Sequence, residues 1–125
     1  MAHDIYWMKP AAVLYVNYKG EQDAETITAT LDAMADQLDT VKHPVMVLIN
    51  WQEVTRTESG ALLDVKGHRA YSHPMAARGV LVGFPRQERF ENEVTVVRTR
   101  GDKNTRYFDT MDEAMDYLKE MLAGT

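Results

Sequence analysis

The sequence has no cysteine. This excludes disulfide bonds and thiolate metal sites, and it suits a reducing compartment. Long apolar runs are also missing, since the longest, Ala11 to Val16 and Val45 to Ile49, are too short to span a bilayer. The first four residues, Met1 to Asp4, have neither the basic start nor the apolar segment of a signal peptide. We therefore expect a cytoplasmic protein without a membrane span.

An excess of positive charge is likewise absent. With 14 Lys and Arg against 19 Asp and Glu, the net charge is -5, which argues against general nucleic-acid binding. The charges are unevenly distributed, however, because residues 66–106 hold nine basic and four acidic residues. This segment could face an anionic ligand or an acidic partner, or folding could mix its charges over a solvated surface.

What is present is the composition of a globular protein, with 45% hydrophobic and 26% charged residues in a chain of 125. This length predicts a single domain, residues 1–125. Ile5 to Met8 and Ala12 to Tyr18 are predicted strands, close enough in sequence to form an antiparallel hairpin that ends at Lys19-Gly20. A helix follows from about Asp23, with an apolar stripe at helical spacing: Ala24, Ile27, Leu31, Met34, Ala35, Leu38 and Val41.

The strand Val45 to Ile49 is apolar at every position, which is typical of a strand covered on both faces. A polar loop from Trp51 to Glu58 is predicted next, followed by a helix from Ser59 or Gly60 to Ala70. Gln87 to Thr99 is ambiguous: Phe90, Val94 and Val97 fit a helical stripe, whereas Val94 to Val97 is β-branched throughout and fits a strand.

The remaining elements are predicted as a strand from Gly79 to Phe84, a turn at Gly101-Asp102, a strand from Arg106 to Phe108 and a helix that ends at Gly124. Thr110 and Glu113 have the spacing of a capping box for that helix. The order predicts an α/β fold: a mixed sheet of about five strands, with an N-terminal antiparallel hairpin and parallel central strands, flanked by about four helices.

The predicted binding region lies at the carboxyl ends of the strands, where open α/β sheets bind ligands. Trp51 and Phe84 each come at the end of a predicted strand, so they either line a pocket mouth or cap the core. Arg86 and Arg89 follow Phe84 and either bind an anionic group there or are solvated. Asn50, the last residue of its strand, belongs to the same edge.

A catalytic or metal site is not predicted. Asp64 and His68 are four residues apart on a predicted helix and share a face, but two residues make an incomplete metal site. No Ser-His-Asp order, phosphate-binding glycine loop or paired carboxylates stand out. We expect a protein without enzymatic activity, cofactor or metal. Tyr6, Trp7 and Tyr15 on the hairpin favour a homodimer, since an edge strand needs covering.

Three segments together resemble a STAS-type domain, the SpoIIAA-like fold of the anti-sigma-factor antagonists. Val47 to Asn50 resembles the family's central strand, Thr57 to Leu63 resembles its Asp-Ser-Ser-Gly turn and the helix behind it, and Tyr107 to Ala114 resembles its last strand and helix start. The resemblance covers about Val13 to Leu118 and favours a helix for Gln87 to Thr99. It implies a regulatory module that binds a protein such as an anti-sigma-like kinase.

Ser59 matches the serine that a partner kinase phosphorylates in that family. The alternative is that Ser59 only caps the helix. The turn departs from the family pattern, with Thr57 in place of Asp, Glu58 in place of the first Ser and Asn50 in place of the Asp that usually ends the strand. The fold also resembles SEC14-type lipid-binding domains, which implies a carrier or sensor of a small amphipathic or anionic molecule. The predicted site comprises Asn50, Trp51, Thr55, Thr57, Ser59, Gly60, Phe84, Arg86 and Arg89.

Overall fold

The fold consists of five strands and four helices in the part of the chain that the computed structural model describes. The described residues are 3–9, 12–65, 67–100 and 105–123, with the backbone alone for 95–100. In chain order the elements are β1 (His3–Lys9), β2 (Val13–Gln22), α1 (Ala24–Leu38), β3 (Val45–Thr57), α2 (Ala61–Asp64), β4 (Ala76–Val82), α3 (Arg86–Arg100), β5 (Thr105–Phe108) and α4 (Met111–Ala123). The predicted turn at Gly101-Asp102 and the predicted helix end at Gly124 lie outside the described residues.

The strands form one sheet in the order β1-β2-β3-β4-β5. β1 pairs with β2 antiparallel, and the other three pairs are parallel. The predicted α/β fold with an N-terminal hairpin and parallel central strands is therefore confirmed.

Two apolar layers cover the sheet. On one face the α1 stripe, including Ile27, Leu31 and Leu38, packs against Leu14, Val47 and Trp51. On the other face Ala114 and Leu118 of α4 pack with Leu48 and Val80. β3 contributes to both layers, which explains why Val45 to Leu48 are buried without alternation.

The predicted helix starts are confirmed by hydrogen bonds. The Asp23 carboxylate accepts from the Thr26 backbone N–H at 2.8 Å, and the Thr26 hydroxyl accepts from the Asp23 N–H at 2.9 Å. Thr110 and Glu113 make the same reciprocal pair before α4. Each pair satisfies N–H groups that the first helical turn leaves free. Among the described residues, no helix has the length and apolarity needed to cross a bilayer.

Four predicted boundaries were wrong. The predicted loop Trp51 to Glu58 is mostly strand, because β3 runs to Thr57. β2 likewise continues past Lys19-Gly20 to Gln22, and the two extensions pair as far as Gln22 with Thr57. These polar residues extend the sheet because each strand supplies the backbone partners of the other, with irregular register around Gly20.

The helix predicted to reach Ala70 is also wrong, since α2 ends at Asp64 after a single turn. Residues 67–75 form turns instead, consistent with the weak apolar pattern there and with Gly67 at φ 86°. β4 is displaced towards the N-terminus relative to the predicted strand Gly79 to Phe84, so Phe84 lies beyond the sheet.

The ambiguous segment is helical. α3 runs from Arg86 to Arg100 and includes the whole β-branched run Val94 to Val97. The buried Asn92 side chain donates to the Tyr107 hydroxyl at 3.0 Å and ties α3 to β5. Tertiary contacts thus outweigh local β preference here, as the family resemblance had indicated.

Gly83 provides a test of how β3 and β4 fix the position of Phe84. A Cβ built there would lie 2.5 Å from Cγ of Gln52, and φ is +75°. Gly20 has a similar φ of +71° with nothing within 4 Å, so it serves as a matched control. We expect Gly20→Ala to cost about 1 kcal/mol of unfolding free energy, and Gly83→Ala to cost about 2 kcal/mol or more because overpacking is added to strain. Urea unfolding measures the unfolding free energy of both variants. Equal decreases would show that the Gln52 side chain moves aside without an energetic cost.

Candidate functional site

A row of four aromatic side chains lies at the carboxyl edge of the parallel strands. Trp51 is 2% exposed and stacks on Phe84, with ring centroids 4.7 Å apart and an interplanar angle of 27°. Tyr18 of β2 contacts the Trp51 ring at 4.7 Å, and Tyr107 of β5 contacts Phe84 edge-on at 6.1 Å. The pairing of Asn50 with Val82 brings the residues that follow them together. Trp51 and Phe84 therefore meet, as was predicted from their positions at the ends of two strands.

A cavity of about 60 Å³ lies beneath this row, between the sheet and α1. Its wall is mostly apolar and includes Leu31 and Met34 of α1, Leu62 of α2, and the rings of Tyr18, Trp51, Tyr71 and Phe84. The indole Nε1 of Trp51 is buried and donates to no acceptor among the described residues. The space is large enough for a few water molecules or one small apolar group. Trp51 and Phe84 therefore both form part of the core and line a cavity.

Burial keeps the tyrosine hydroxyls at this site neutral. It raises the pKa of Tyr18 well above its ordinary value, and it also raises the pKa of Tyr71 and of Tyr107. Phenolate is therefore disfavoured in the cavity wall. The described wall thus offers apolar surface and neutral hydroxyl groups.

The two predicted arginines lie outside that cavity wall. Arg86 and Arg89 are both exposed on the first turns of α3. The Arg89 guanidinium sits over the Tyr107 ring, 4.5 Å from its centroid. An anionic group bound by this pair would lie at the protein surface, beside the aromatic row.

Asn50 faces the opposite side of the sheet from Trp51. Its Nδ2 donates to the Tyr15 hydroxyl at 3.0 Å, and its Oδ1 accepts from the Gln52 N–H at 3.0 Å. Asn50 is 6% exposed, so these bonds satisfy a buried amide. The structure gives Asn50 a role in ordering β3, and the strands separate it from the cavity.

The turn between β3 and α2 carries the predicted modification site. Thr55 and Ser59 are exposed, and Thr57 is half-buried. The N-cap of α2 is Gly60, with φ 79° and no side-chain hydrogen bond. The prediction that Ser59 caps this helix was therefore wrong, because the left-handed Gly60 takes that position.

The same turn is held firmly at its first residue. The Glu58 N–H donates to the Gln22 carbonyl at 2.8 Å, which ties the turn to the end of β2. The Gln22 side chain donates to the Lys19 carbonyl at 2.8 Å and accepts from the Thr26 hydroxyl at 3.0 Å. The exposed Ser59 hydroxyl thus sits on a turn whose backbone is fixed by β2 and α1.

The predicted shared helix face of Asp64 and His68 does not exist, because α2 ends at Asp64. His68 contacts Asp32 of α1 instead, with Nε2 and Oδ1 2.7 Å apart. Among the described residues, no three His, Asp or Glu side chains group as metal ligands.

Sequence reasoning missed a cluster of ion pairs between residues 68–73 and α1. Nε2 of His73 lies 2.7 Å from Asp39, and Arg69 lies 3.1 Å from Asp36 and 3.2 Å from Asp39. The signal in the sequence was the spacing of Asp32, Asp36 and Asp39, which places three carboxylates along one helix face. The basic partners could not be assigned, because His68 and Arg69 were predicted to lie on a helix that ended at Ala70, and His73 beyond its end.

Comparison with known proteins finds similarity in structure only. No family model matches the sequence, and no curated protein matches it. An uncharacterised protein of the DUF3478 family with a SpoIIAA-like fold, from Shewanella loihica, superposes with a TM-score of 0.61 at 19% identity, over 94% of this chain and 92% of that chain.

Two further solved structures are similar as well. The anti-sigma-factor antagonist SpoIIAA in its unphosphorylated form gives a TM-score of 0.56 at 18% identity, over 94% of this chain and 98% of that chain. A variant of RsbS from Moorella thermoacetica gives 0.61 at 12% identity, over 98% and 99%. At these identities the likeness establishes the fold alone. The chain thus has a SpoIIAA-like fold, as the three sequence segments had indicated.

Proposed function

We propose that this chain is a non-catalytic, cytoplasmic regulatory module that binds a partner protein through the β3–α2 turn, with Ser59 as a phosphorylation switch. The observation that carries the proposal is the exposed Ser59 hydroxyl on a backbone anchored by Gln22. A kinase needs an accessible hydroxyl, and a partner surface needs a fixed backbone. SpoIIAA, which has this fold, has been solved in unphosphorylated and phosphorylated forms, and the kinase-type partner is inferred from that likeness.

Local charge gives the direction of the switch. A phosphate adds a charge of about -1.5 to -2 at neutral pH. Glu58 precedes Ser59 directly, so the added charge would lie beside an existing carboxylate. α2 has only one turn, so its dipole offers little compensation. Modification therefore makes the turn strongly acidic, and a partner that accepts the unmodified turn would be repelled.

Replacing Ser59 by Glu tests this switch. A partner is first captured with the wild-type protein, and its affinity is then measured for each variant. We expect Ser59→Glu to weaken binding by roughly tenfold and Ser59→Ala to leave it nearly unchanged. Ser72→Glu is the matched control, because Ser72 is the other serine of the chain and is also exposed.

Urea midpoints equal to the wild-type value would show that the Ser59 variants fold. Native mass spectrometry of protein purified from its own cell provides the second arm, with the mass of one phosphate expected at Ser59. Wild-type affinity in Ser59→Glu, or a phosphate found elsewhere, would contradict the switch.

A second candidate function is a carrier or sensor of a small amphipathic molecule. The observation in its favour is the aromatic cavity with an unpaired indole N–H in its wall. The apolar part of a ligand would enter beside Trp51 and Phe84. An anionic end would reach Arg86 at the surface, since Arg86 is exposed and lies two residues beyond Phe84.

Tryptophan fluorescence tests this second function. Trp7→Phe leaves Trp51 as the only tryptophan, and Trp51→Phe leaves Trp7, whose Nε1 is bonded to Gln37 at 3.0 Å. Hexanoate and hexanol are the probes. We expect a saturable emission change in Trp7→Phe and none in Trp51→Phe. Arg86→Gln should weaken the binding of hexanoate and leave the binding of hexanol unchanged. A flat response of Trp7→Phe to both probes would count against a carrier.

We also propose a homodimer that pairs through β1, the edge strand. Tyr6 is 52% exposed there and packs on Tyr15, with ring centroids 4.9 Å apart. Trp7 is less available for contact with a second subunit, since it is half-buried against the core. If Tyr6 lies at the interface, Tyr6→Lys will produce monomers in sedimentation velocity runs at concentrations where the wild type is dimeric. A wild-type monomer would remove the proposal.

A further inference from the structure

Residues 67–75, hereafter the lid, lie between α2 and β4 and form one wall of the aromatic cavity. Ala70 and Tyr71 of the lid line the cavity opposite Leu31 and Met34 of α1. The lid has no helix or strand. Its backbone bonds are those of successive turns, except at its end, where the Val45 N–H of β3 donates to the Met75 carbonyl at 2.7 Å. Displacement of residues 67–74 would therefore widen the cavity, while Met75 stays bonded to the start of β3.

The lid is fastened to α1 by its basic side chains. His68 and His73 each place Nε2 2.7 Å from a carboxylate oxygen, of Asp32 and Asp39 respectively. Arg69, between the two histidines, pairs with Asp36 and Asp39. These carboxylates are more than half exposed, whereas the histidine side chains are only 13% and 9% exposed.

The backbone determines which tautomer each neutral histidine ring adopts. Nδ1 of His68 accepts from the Ala70 N–H at 3.0 Å, and Nδ1 of His73 accepts from the Met75 N–H at 3.1 Å. A backbone N–H can only donate, so neither Nδ1 carries a proton. The proton of each neutral ring is therefore on Nε2, where it is donated to Asp32 or Asp39. The same two-ended arrangement occurs twice within six residues.

Protonation at Nδ1 conflicts with this arrangement. The new N–H would point at a backbone N–H about 3 Å away, and the buried backbone donor would lose its acceptor. The added charge is attracted to Asp32 and Asp39, but these carboxylates are more than half exposed to screening water. A ring that is only 13% or 9% exposed also loses hydration when it becomes charged. Arg69 already pairs with Asp36 and Asp39 and repels a further positive charge. Protonation therefore sets a lost backbone hydrogen bond and a dehydrated charge against the attraction at Nε2.

The Asp39 carboxylate favours its charged form. The hydrogen bond from His73, and next that from Arg69, hold the pKa of Asp39 below its ordinary value. Acidification to about pH 5 therefore leaves Asp39 ionised.

We propose that the lid is a pH-sensitive gate on the aromatic cavity, closed while His68 and His73 are neutral and released when their rings are protonated. This goes beyond the proposed function, because it depends on two ring nitrogens and on no partner. Release would expose the Tyr71 side of the cavity to solvent, while β2, β3 and α1 stay in place.

Hydrogen exchange of the Ala70 and Met75 amides tests the gate, with rates corrected for the intrinsic pH dependence of exchange. In the wild type we expect their protection to fall roughly tenfold or more between pH 8 and pH 5. The test variant is His68→Asn/His73→Asn, because Asn Oδ1 can accept the N–H two residues on and does not titrate. Its amides should keep their protection. His43→Asn is the matched control, since His43 is exposed and its Nδ1 lies 3.3 Å from the neighbouring Pro44 carbonyl.

Two measurements on protein that retains His68 and His73 keep the proposal testable if the double variant fails to fold. Ring ¹⁵N shifts at pH 8 should assign the Nε2–H tautomer to His68 and His73. Acrylamide quenching of Trp51, measured in Trp7→Phe, should increase on acidification. Unchanged protection of Ala70 and Met75 at pH 5, an equal loss in the double variant, or Nδ1–H tautomers would each overturn the gate.

Discussion

The pairing of β2 with β3 along their whole length is the interaction on which the rest of the structure depends. The two strands remain in parallel register from Val13 with Met46 to Gln22 with Thr57, through two irregularities. Each strand would otherwise leave its polar end as unpaired backbone in solvent or core. Because the pairing continues past the apolar core, β3 delivers Trp51 into the α1 layer and then places the Ser59 turn beside the end of β2.

This extension also explains how one strand serves two sites. Successive residues of β3 point to opposite faces, so Asn50 bonds with Tyr15 on the α4 side and Trp51 packs on Tyr18 and Phe84 on the α1 side. A shift of one residue in register would exchange these environments and bury an amide among the aromatic rings. The buried Asn50 amide, with both of its polar atoms bonded, thus helps to hold the register that forms the cavity.

The sequence was informative wherever one local pattern determined the outcome. The α1 stripe, the cap at Asp23, the capping box at Thr110 and the continuous apolar run of β3 were all predicted correctly, because burial and free N–H groups act within a few residues. The errors concern features that a distant strand or helix decides. Polar residues 51–57 look like a loop until Lys19–Gln22 offers them partners, and the run Val94 to Val97 looks like a strand until the contact of Asn92 with Tyr107 places it on a helix.

The same distinction between local patterns and distant contacts applies to the candidate site. The meeting of Trp51 with Phe84 follows from parallel strands alone, whereas the capping role of Ser59 failed because a left-handed glycine took the position. The fastening of residues 68–73 to α1 was beyond pattern reading, since it joins side chains some 30 positions apart through a segment without periodicity. In the sequence His68 made only an incomplete metal site with Asp64, and in the structure it is a hydrogen-bonding partner of Asp32 on α1.

The proposed phosphorylation and the proposed protonation would each change the charge at one end of the same short helix. The Ser59 turn precedes α2 and the lid follows it, while Leu62 of α2 itself lines the cavity. A phosphate would add negative charge at one end, and histidine protonation would add positive charge at the other. If either event alters occupation of the cavity, thermodynamic linkage requires that occupation alter that event by the same factor. Because α2 has a single turn, we expect its conformation to respond to both changes.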